Sequence, residues 1–309
     1  SGREAIRPDI SGIMGAFGAA LIAKERYVAG EASTLLDEKA LESFDIKTRS
    51  TRCGLCSNNC LLTINKFSSG ERFISGNRCE RGAGKSNDDN ALPNLVRYKY
   101  NRLFNYKTKE LEEASRGTVG IPRVLNMYEN YPFWATFFTR LGFSVVLSDS
   151  SSKAIYEKGI ETIPSESVCY PGKLVHGHIM NLIEKNVDFI FYPSLTYSKK
   201  EDSKANNHYN CPIVVSYPEN LKNKVESVAD GAVKYIRPFM AFTNKKITSD
   251  RLCRLCKEEW GISPREVKRA VSRTWNEQHR AKADIKEQGR CQLAEMEKRG
   301  GTGIVLAGR

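Results

Sequence analysis

The chain has 309 residues and a mass of 34.8 kDa, which is enough for two or three domains. Hydrophobic residues make up 40% of it, so buried cores are expected and wholesale disorder is excluded. The longest apolar stretch, from Gly12 to Ala23, is too short to span a bilayer, and the amino end lacks the apolar core of a secretory signal. We therefore expect a cytoplasmic protein with no membrane contact, whose nine cysteines are mostly reduced.

The net charge of +12 raises the question of nucleic-acid binding. Basic residues are densest at 97–109 and 251–298, but aromatic residues do not alternate with them as they would on a base-stacking platform. The pattern therefore does not favour nucleic acid. Two interpretations stay open: solvated helical faces, and a basic docking surface for an acidic redox partner or a nucleotide.

Apolar residues between Ile10 and Ile22 recur at helical spacing, with glycines at positions 12, 15 and 18 that permit close backbone approach. The spacing predicts a tightly packed helix. No strand or second helix accompanies this segment in the sequence, so its apolar face is expected to meet a distant or missing partner.

Four cysteines lie within 27 residues, at the spacing Cys53-x2-Cys56-x3-Cys60-x18-Cys79. Between the third and fourth, apolar residues flank Ser69–Gly70, a pattern typical of a β-hairpin. Pairing the strands about that turn places Cys60 opposite Cys79 and would return the fourth thiol to the other three. The pattern predicts a four-thiolate site, with separate buried cysteines as the alternative.

The spacing also favours iron–sulfur over zinc, because zinc sites commonly pair two C-x2-C units and this set has only one. Four arginines near the cysteines would offset a cluster's negative charge or lie in solvent; they are Arg52, Arg72, Arg78 and Arg81.

Beyond the cysteines the pattern alternates between strands and helices. Strands are predicted at 118–121, 143–147, 187–192 and 212–215, and helices at 131–141 and 174–185. This alternation predicts an α/β fold with a doubly wound, mostly parallel sheet. Residues 244–298 turn charged and helical, and a buried strand is predicted over 304–308.

Ligand sites in open parallel sheets collect at the carboxyl ends of the strands. Cys169, Ser194 and Cys211 fall next to such ends, so three loops would bring them into one pocket, unless the cysteines are small buried side chains. Glu166 and His208 would be polar neighbours, but the sequence names no catalytic residue.

Other candidates carry weaker signals. His176 and His178 lie two residues apart on a predicted helix and point to different sides, which favours packing or capping over metal binding. Cys253-x2-Cys256 has no second pair except the distant Cys291. No Ser/His/Asp set, P-loop or GxGxxG motif is present.

Four segments together resemble one family: Arg52–Cys60, Ile74–Gly82, Gly120–Asn126 and Glu166–Pro171. It is the large acyl-CoA dehydratase activase-related proteins of anaerobic bacteria, also called CoA-substrate-specific enzyme activases. The resemblance extends over most of residues 1–245. The cysteine segment is also similar to the amino-terminal [4Fe–4S] module of molybdopterin oxidoreductases.

The resemblance implies an ATP-driven electron-transfer system of the 2-hydroxyacyl-CoA dehydratase and benzoyl-CoA reductase type. An actin-like ATPase there passes a low-potential electron to an iron–sulfur protein. Cys169 and Cys211 match cluster positions in such reductases, and Ser194 stands where relatives carry a third cysteine. The three residues are therefore candidates for a second cluster or for a substrate pocket, and the serine departs from the pattern that a second cluster requires.

The resemblance also divides the chain. It implies the closing helix of an actin-like ATPase domain plus a linker at 1–45, an iron–sulfur knuckle at 46–110, a reductase-like α/β domain at 111–245, a helical region at 246–300, and the first strand of a further α/β domain at 301–309. Both ends are then cuts through a longer protein. Expected partners are the actin-like ATPase domains of that same chain and a redox partner or reductase component.

The leading functional hypothesis is an iron–sulfur electron-transfer module with a [4Fe–4S] cluster on Cys53, Cys56, Cys60 and Cys79. The alternative is a zinc-stabilised structural or partner-docking module without redox chemistry. A scaffold that links an ATPase to a reductase is the third possibility. Whether the chain is itself an enzyme stays open, and turnover of ATP by this chain alone is not expected.

Overall fold

The structure is a computed structural model that describes residues 9–30, 36–56, 58–84 and 93–303. It divides into two compact units, the first from Ser1–Arg52 and Leu61–Gly84, the second from Cys53–Cys60 and Lys85–Arg309. The strand predicted over 304–308 lies outside the described residues. No helix among the described residues is long and apolar enough to cross a membrane.

Among its described residues, the first unit contains two α-helices and a three-stranded sheet. Its elements are α1 (Met14–Arg26), α2 (Glu38–Glu42), β1 (Ile46–Arg52), β2 (Leu61–Phe67) and β3 (Arg72–Ser75). The sheet is antiparallel in the order β1-β2-β3, and Arg52 pairs with Leu61 at the end of the first ladder.

The predicted hairpin is present, but its register differs by one residue from the prediction. Its loop has three residues, because the Phe67 amide donates to the Glu71 carbonyl at 3.0 Å and Gly70 takes φ +90°. Thr63 therefore pairs with Ser75 and Lys66 with Arg72. The pairing of Cys60 with Cys79 expected from a turn centred between Ser69 and Gly70 was wrong in register.

The predicted first helix forms as α1, but it is not tightly packed. None of its residues is buried, and a side chain placed on Gly12, Gly15 or Gly18 would meet nothing within 4 Å. Phe17 and Leu21 are about half exposed. The apolar spacing thus predicted the helix correctly. The tight packing expected from its glycines is absent among the described residues, while the exposed apolar face agrees with the expectation of a distant or missing partner.

The second unit is built on a parallel sheet of four short strands in the order β5-β4-β6-β8. The strands are β4 (Thr118–Ile121), β5 (Ser144–Leu147), β6 (Phe189–Phe191) and β8 (Tyr235–Ile236). A separate parallel pair joins β7 (Ser194–Leu195) to β9 (Phe239–Met240). The predicted α/β fold with a parallel sheet is confirmed.

Eight α-helices are described in this unit. They are α3 (Leu95–Phe104), α4 (Met127–Arg140), α5 (Lys153–Gly159), α6 (Tyr170–Glu184), α7 (Pro212–Lys224), α8 (Glu226–Ala229), α9 (Lys245–Trp260) and α10 (Pro264–Lys298). Helices α3, α4, α9 and α10 pack together on one side of the sheet, and α5, α6 and α7 form the other layer. The predicted helical character of 244–298 is confirmed.

One predicted strand was wrong. Residues 212–215 form the first turn of α7, with Cys211 as its N-cap and Pro212 at the first helical position. Proline suits that position because its missing N–H would have no partner there. The β-branched run Ile213 to Val215 had suggested a strand, while the true strand β8 is only two residues long.

The core of the second unit is aromatic. Trp134 and Phe138 of α4 are buried against Phe191 of β6, at ring-centroid distances of 4.6 and 4.9 Å. Phe143 and Trp260 close the same cluster, with their rings 5.2 Å apart. These large side chains hold the sheet against α4 and α9.

A buried glutamine joins α10 to an interruption in α4. Pro132 lies inside α4, and Gln278 of α10 accepts a hydrogen bond from the Phe133 amide at 3.1 Å. Its side-chain amide donates to the Glu129 carbonyl at 2.7 Å. Gln278 is 3% exposed, so it satisfies two backbone groups away from water.

A second polar contact holds α3 to α10. Arg102 donates to Asp284 at 2.7 Å and to Glu277 at 2.9 Å, and the Tyr106 hydroxyl donates to the same Glu277 oxygen at 2.7 Å. Burial and the Glu277 hydrogen bond raise the pKa of Tyr106 well above its ordinary value. The phenol therefore stays protonated and able to donate at neutral pH.

Candidate functional site

Three of the four clustered cysteines lie on one short loop. Residues 53–60 connect β1 to β2, and the Cys53 amide donates to the Cys60 carbonyl at 2.9 Å, which closes the loop at its base. The Asn59 amide donates to the Cys56 carbonyl at 3.1 Å, and Asn59 takes φ +43°. All three thiols are partly exposed. The loop therefore carries three accessible thiols on a hydrogen-bonded turn.

Cys79 lies in the first unit, directly before a single 3₁₀ turn at Glu80–Ala83. Hydrogen bonding from the Gly82 backbone amide lowers the pKa of its exposed thiol, with further contributions from the backbone and side chain of Arg81, against partial desolvation. Arg81 therefore has a specific role beside Cys79. A thiol in such surroundings is a ready thiolate ligand.

The β1-β2-β3 sheet orients this segment. Gly76 follows β3 at φ +82°, and a Cβ atom there would overlap the Leu61 carbonyl oxygen. Only glycine permits this close approach to the first residue of β2. Asn77 donates to the Cys79 carbonyl at 3.1 Å and fixes the turn that carries the thiol.

The predicted four-cysteine knuckle is not assembled as a metal site. Among the described residues, no three His, Cys, Asp or Glu side chains converge closely enough to hold a metal ion. All nine cysteines fall within the described ranges, and each is a free thiol. The four-thiolate ligand set thus stays a prediction.

In the second unit, Cys169 and Cys211 occupy matching places at the starts of two neighbouring helices. Cys169 is the N-cap of α6 and Cys211 the N-cap of α7, each followed by proline within the first turn. A Cβ atom on Gly172 would lie 3.5 Å from the Cys169 thiol and 3.2 Å from the Ile213 side chain. The first turns of α6 and α7 therefore touch, and both cysteines lie at the positive ends of helix dipoles.

Ser194 is fully buried at the start of β7, just beyond the carboxyl end of β6. Its hydroxyl has no hydrogen-bond partner among the described residues, and neither has the side-chain oxygen of Asn126. The Asn126 amide nitrogen donates to the Pro193 carbonyl at 3.4 Å. Two buried polar oxygens without partners thus lie near Pro193, at an expected cost of about 1–3 kcal/mol each.

A polar network that the sequence did not predict lies at the same edge of the sheet. The Arg123 amide donates to the Ser148 hydroxyl at 2.8 Å, and its side chain donates to the Ser148 carbonyl at 3.1 Å. His178 lies between Ser148 and Ser151, with its two ring nitrogens 2.8 and 3.0 Å from their hydroxyls. The Gly120–Arg123 motif was the available signal, because it places a charged side chain directly after a strand.

Both helical histidines are buried and have separate surroundings. His176 lies 2.8 Å from the Thr162 hydroxyl and stacks edge-on against Tyr217. Desolvation lowers the pKa of each histidine to about 4, and the positive charge of Arg123 acts in the same direction on His178. They are therefore neutral packing and hydrogen-bonding groups at neutral pH.

The remaining candidates have structural surroundings. Cys256 is fully buried, which raises the pKa of its thiol to about 12, and the Cys253 thiol faces the Pro264 carbonyl at 3.7 Å. His208 donates to the Ser198 carbonyl at 2.7 Å, and Glu166 is exposed. None of these contacts forms a metal or catalytic set.

The fold and these positions define an α/β protein in which two neighbouring helices, α6 and α7, each begin directly after a cysteine. A family model described as a CoA enzyme activase uncharacterised domain (DUF2229) matches residues 118–309, more than half of the chain. The chain therefore belongs to this family, and the expected relation to CoA enzyme activases is confirmed. The match includes Cys169, Ser194 and Cys211. No curated protein and no solved structure matches the chain.

Proposed function

We propose that this chain is an iron–sulfur electron-transfer module of an ATP-driven activase system acting on CoA-type substrates. Cys53, Cys56, Cys60 and Cys79 would hold a [4Fe–4S] cluster. The family match supports the activase relation, and the cysteine spacing supports the cluster. Its partners would be actin-like ATPase domains, in the same longer chain or separate, and a dehydratase or reductase component.

The observation that carries this proposal is the chemistry of the Cys79 thiol. Backbone and arginine hydrogen bonds favour its thiolate form, and metal or cluster ligation requires a thiolate. The other three thiols are reduced, accessible and held on one short turn. These donors fit a cluster bound entirely by sulfur.

A bound cluster would supply one-electron transfer at low potential. The chain's own residues would set its surroundings. Gly76 allows the Cys79 segment to approach β2, and Arg81 places a positive charge beside the thiolate. The glycine would position the Cys79 segment, and the charge of Arg81 would stabilise the anionic ligand set.

A second cluster near Cys169 and Cys211 is the weaker part of the proposal. The contact between the starts of α6 and α7 supports it, as do the unpartnered oxygens of Ser194 and Asn126. Serine ligation of iron is uncommon, so Ser194 would make this cluster labile or unusual. Only the first cluster is required by the proposed function.

Cysteine substitution tests the ligand assignment. We expect Cys56→Ser to remove the iron and sulfide of the first cluster from anaerobically purified protein and to leave the α/β unit folded. Cys291→Ser is the matched control, because this exposed thiol on α10 belongs to no predicted ligand set. Equal iron content in both variants would refute the assignment. A stoichiometric zinc ion lost in Cys56→Ser, without sulfide, would favour the structural module.

A further inference from the structure

Two adjoining concave surfaces on one side of α10 carry an excess of positive charge. The first has a volume of about 630 Å³, and its cationic lining residues are Lys107, Lys109, Arg140, Arg273 and Arg280. The second, of about 570 Å³, shares Arg140 and Arg273 and adds Arg265 and Arg269. Together they form one basic trough, which extends from the loop after α3 along α4 to the start of α10.

The cations of the basic trough are largely uncompensated. Apart from Arg280, which pairs with Glu277 at 2.6 Å, none of their side chains has an ion pair or hydrogen bond among the described residues. The two acidic residues of the trough are already engaged. Glu277 contacts Arg102 as well as Arg280, and Glu266 pairs with Arg116 at 2.7 Å. The trough therefore presents a net positive field to solvent.

The spacing of the arginines in the trough suits a ligand that has more than one anionic group. Arg265, Arg269 and Arg273 follow one another at intervals of four residues along one face of α10, a span of about 12 Å. Arg140 faces the same trough from α4. A single phosphate is too small to contact all four guanidinium groups, whereas a chain of linked phosphates has the required length.

The shape favours a small ligand over a protein surface. The cavity volumes fall within the range of about 300–1,000 Å³ that is typical of small-molecule sites. Guanidinium groups bind phosphate oxygens in a bidentate manner, and five of the seven cations are arginines. The start of α10 adds the positive end of a long helix dipole beside Arg265.

We propose that the basic trough binds a small molecule that carries two or three linked phosphates. The site is independent of the proposed clusters, because no cysteine lines it. A nucleoside polyphosphate and an inorganic polyphosphate share the chemistry that it recognises.

The test is calorimetric titration of the 309-residue chain with inorganic tripolyphosphate and, in parallel, with a nucleoside triphosphate and orthophosphate. We expect saturable one-site binding of tripolyphosphate and at least about tenfold weaker binding of orthophosphate. Equal affinities for tripolyphosphate and the nucleotide would assign recognition to the phosphate chain alone. Tighter nucleotide binding would assign the natural ligand to the nucleotides.

Charge-neutralising variants locate the site. Arg140→Gln with Arg273→Gln should weaken tripolyphosphate binding by at least about tenfold, while Arg290→Gln, on an exposed part of the same helix, should change it less than about twofold. Lys107→Gln with Lys109→Gln provides a second test on a loop, in case the first variant does not fold. Equal weakening by Arg290→Gln would overturn the proposal. The absence of saturable tripolyphosphate binding would also overturn it, even if the chain bound an acidic protein instead.

Discussion

The two units of this chain bury their side chains very differently. Among the described residues of the first unit, only Leu62 and Gly82 are buried, and six of the seven residues of β1 are exposed. The second unit encloses an aromatic core in which Trp134, Phe138 and Phe191 are almost wholly inaccessible. Hydrophobic burial can account for the stability of the second unit, whereas the small sheet needs another source of order.

Small modules with little core commonly depend on metal ligation or cross-links. The first unit is of this type, and it carries Cys79, whose surroundings favour the thiolate. The contrast therefore agrees with the proposed cluster. The contrast also predicts that truncation of an aromatic side chain lowers the free energy of unfolding more in the second unit than in the first.

Among the substitutions, truncation of the aromatic core should have the largest effect on stability at neutral pH. Phe138 is 1% exposed and its ring lies 4.9 Å from that of Phe191. Phe138→Ala should lower the free energy of unfolding of the α/β unit by about 3–5 kcal/mol, through lost burial and a residual cavity. Urea unfolding followed by tryptophan fluorescence measures this change. A loss below about 1 kcal/mol would contradict the proposed role of the core.

Acidification should destabilise the second unit through its two buried histidines. Their pKa values are about 4 in the folded protein against 6.5 ordinarily, so the unfolded state binds more protons between these values. The contribution of the two histidines to the free energy of unfolding is fully present above pH 6.5. It should fall by about 1.4 kcal/mol per pH unit for each histidine as the pH drops towards 4.

Urea midpoints between pH 7.5 and pH 5 check this dependence. His176→Gln should remove about half of the slope. Equal stability of the wild-type chain at pH 7 and pH 5 would show that these imidazoles do not take up protons on unfolding.

Loss of the contact between α4 and α10 should have an intermediate effect. Gln278→Ala leaves the Phe133 amide and the Glu129 carbonyl without their buried partner. The expected loss is about 1–3 kcal/mol in the free energy of unfolding. Asn276→Ala, at an exposed position on the same helix, serves as the control in the same urea experiment. Similar losses in both variants would mean that the hydrogen bonds of Gln278 are not the cause, because alanine has the higher helix propensity at both positions.

The smallest effect is expected for an aromatic truncation in the first unit. Phe73 of β3 is 57% exposed, so Phe73→Ala should change stability by less than about 1 kcal/mol. Hydrogen exchange of the β2 and β3 amides measures this locally. A loss as large as that of Phe138→Ala would show that this sheet has an apolar core after all and would remove the contrast between the units.

The sequence predicted those helices and strands whose hydrophobic pattern matches the burial of their side chains in the structure. Strand β4 coincides with its predicted range, and α6 agrees apart from its first turn. The wrong strand at 212–215 contains a β-branched run, Ile213 to Val215, and Pro212 places this run at a helix start. Strand β8 escaped prediction because a two-residue strand has no periodicity to detect.

The candidate site was less accessible to prediction because it depends on contacts distant in sequence. Cysteine spacing identified the thiols, but the Gly76 approach to Leu61 and the one-residue change in hairpin register follow from backbone geometry. Similarly, the network around His178 joins residues from three segments, and the basic trough joins cations from α4, α10 and the loop after α3. The dense basic residues at 97–109 and 251–298 indicated charged surfaces, but no local pattern shows that these segments and α4 meet in one trough.

The most direct test of the proposed function is the iron, acid-labile sulfide and zinc content of the chain purified without oxygen, together with its visible spectrum. A [4Fe–4S] cluster on the four clustered cysteines predicts about four iron and four sulfide per chain, with a visible absorption that dithionite bleaches. Appreciably more iron would add the second site near Cys169 and Cys211. One zinc ion per chain with no sulfide, reproduced under strict anaerobiosis, would contradict electron transfer as the function of this module.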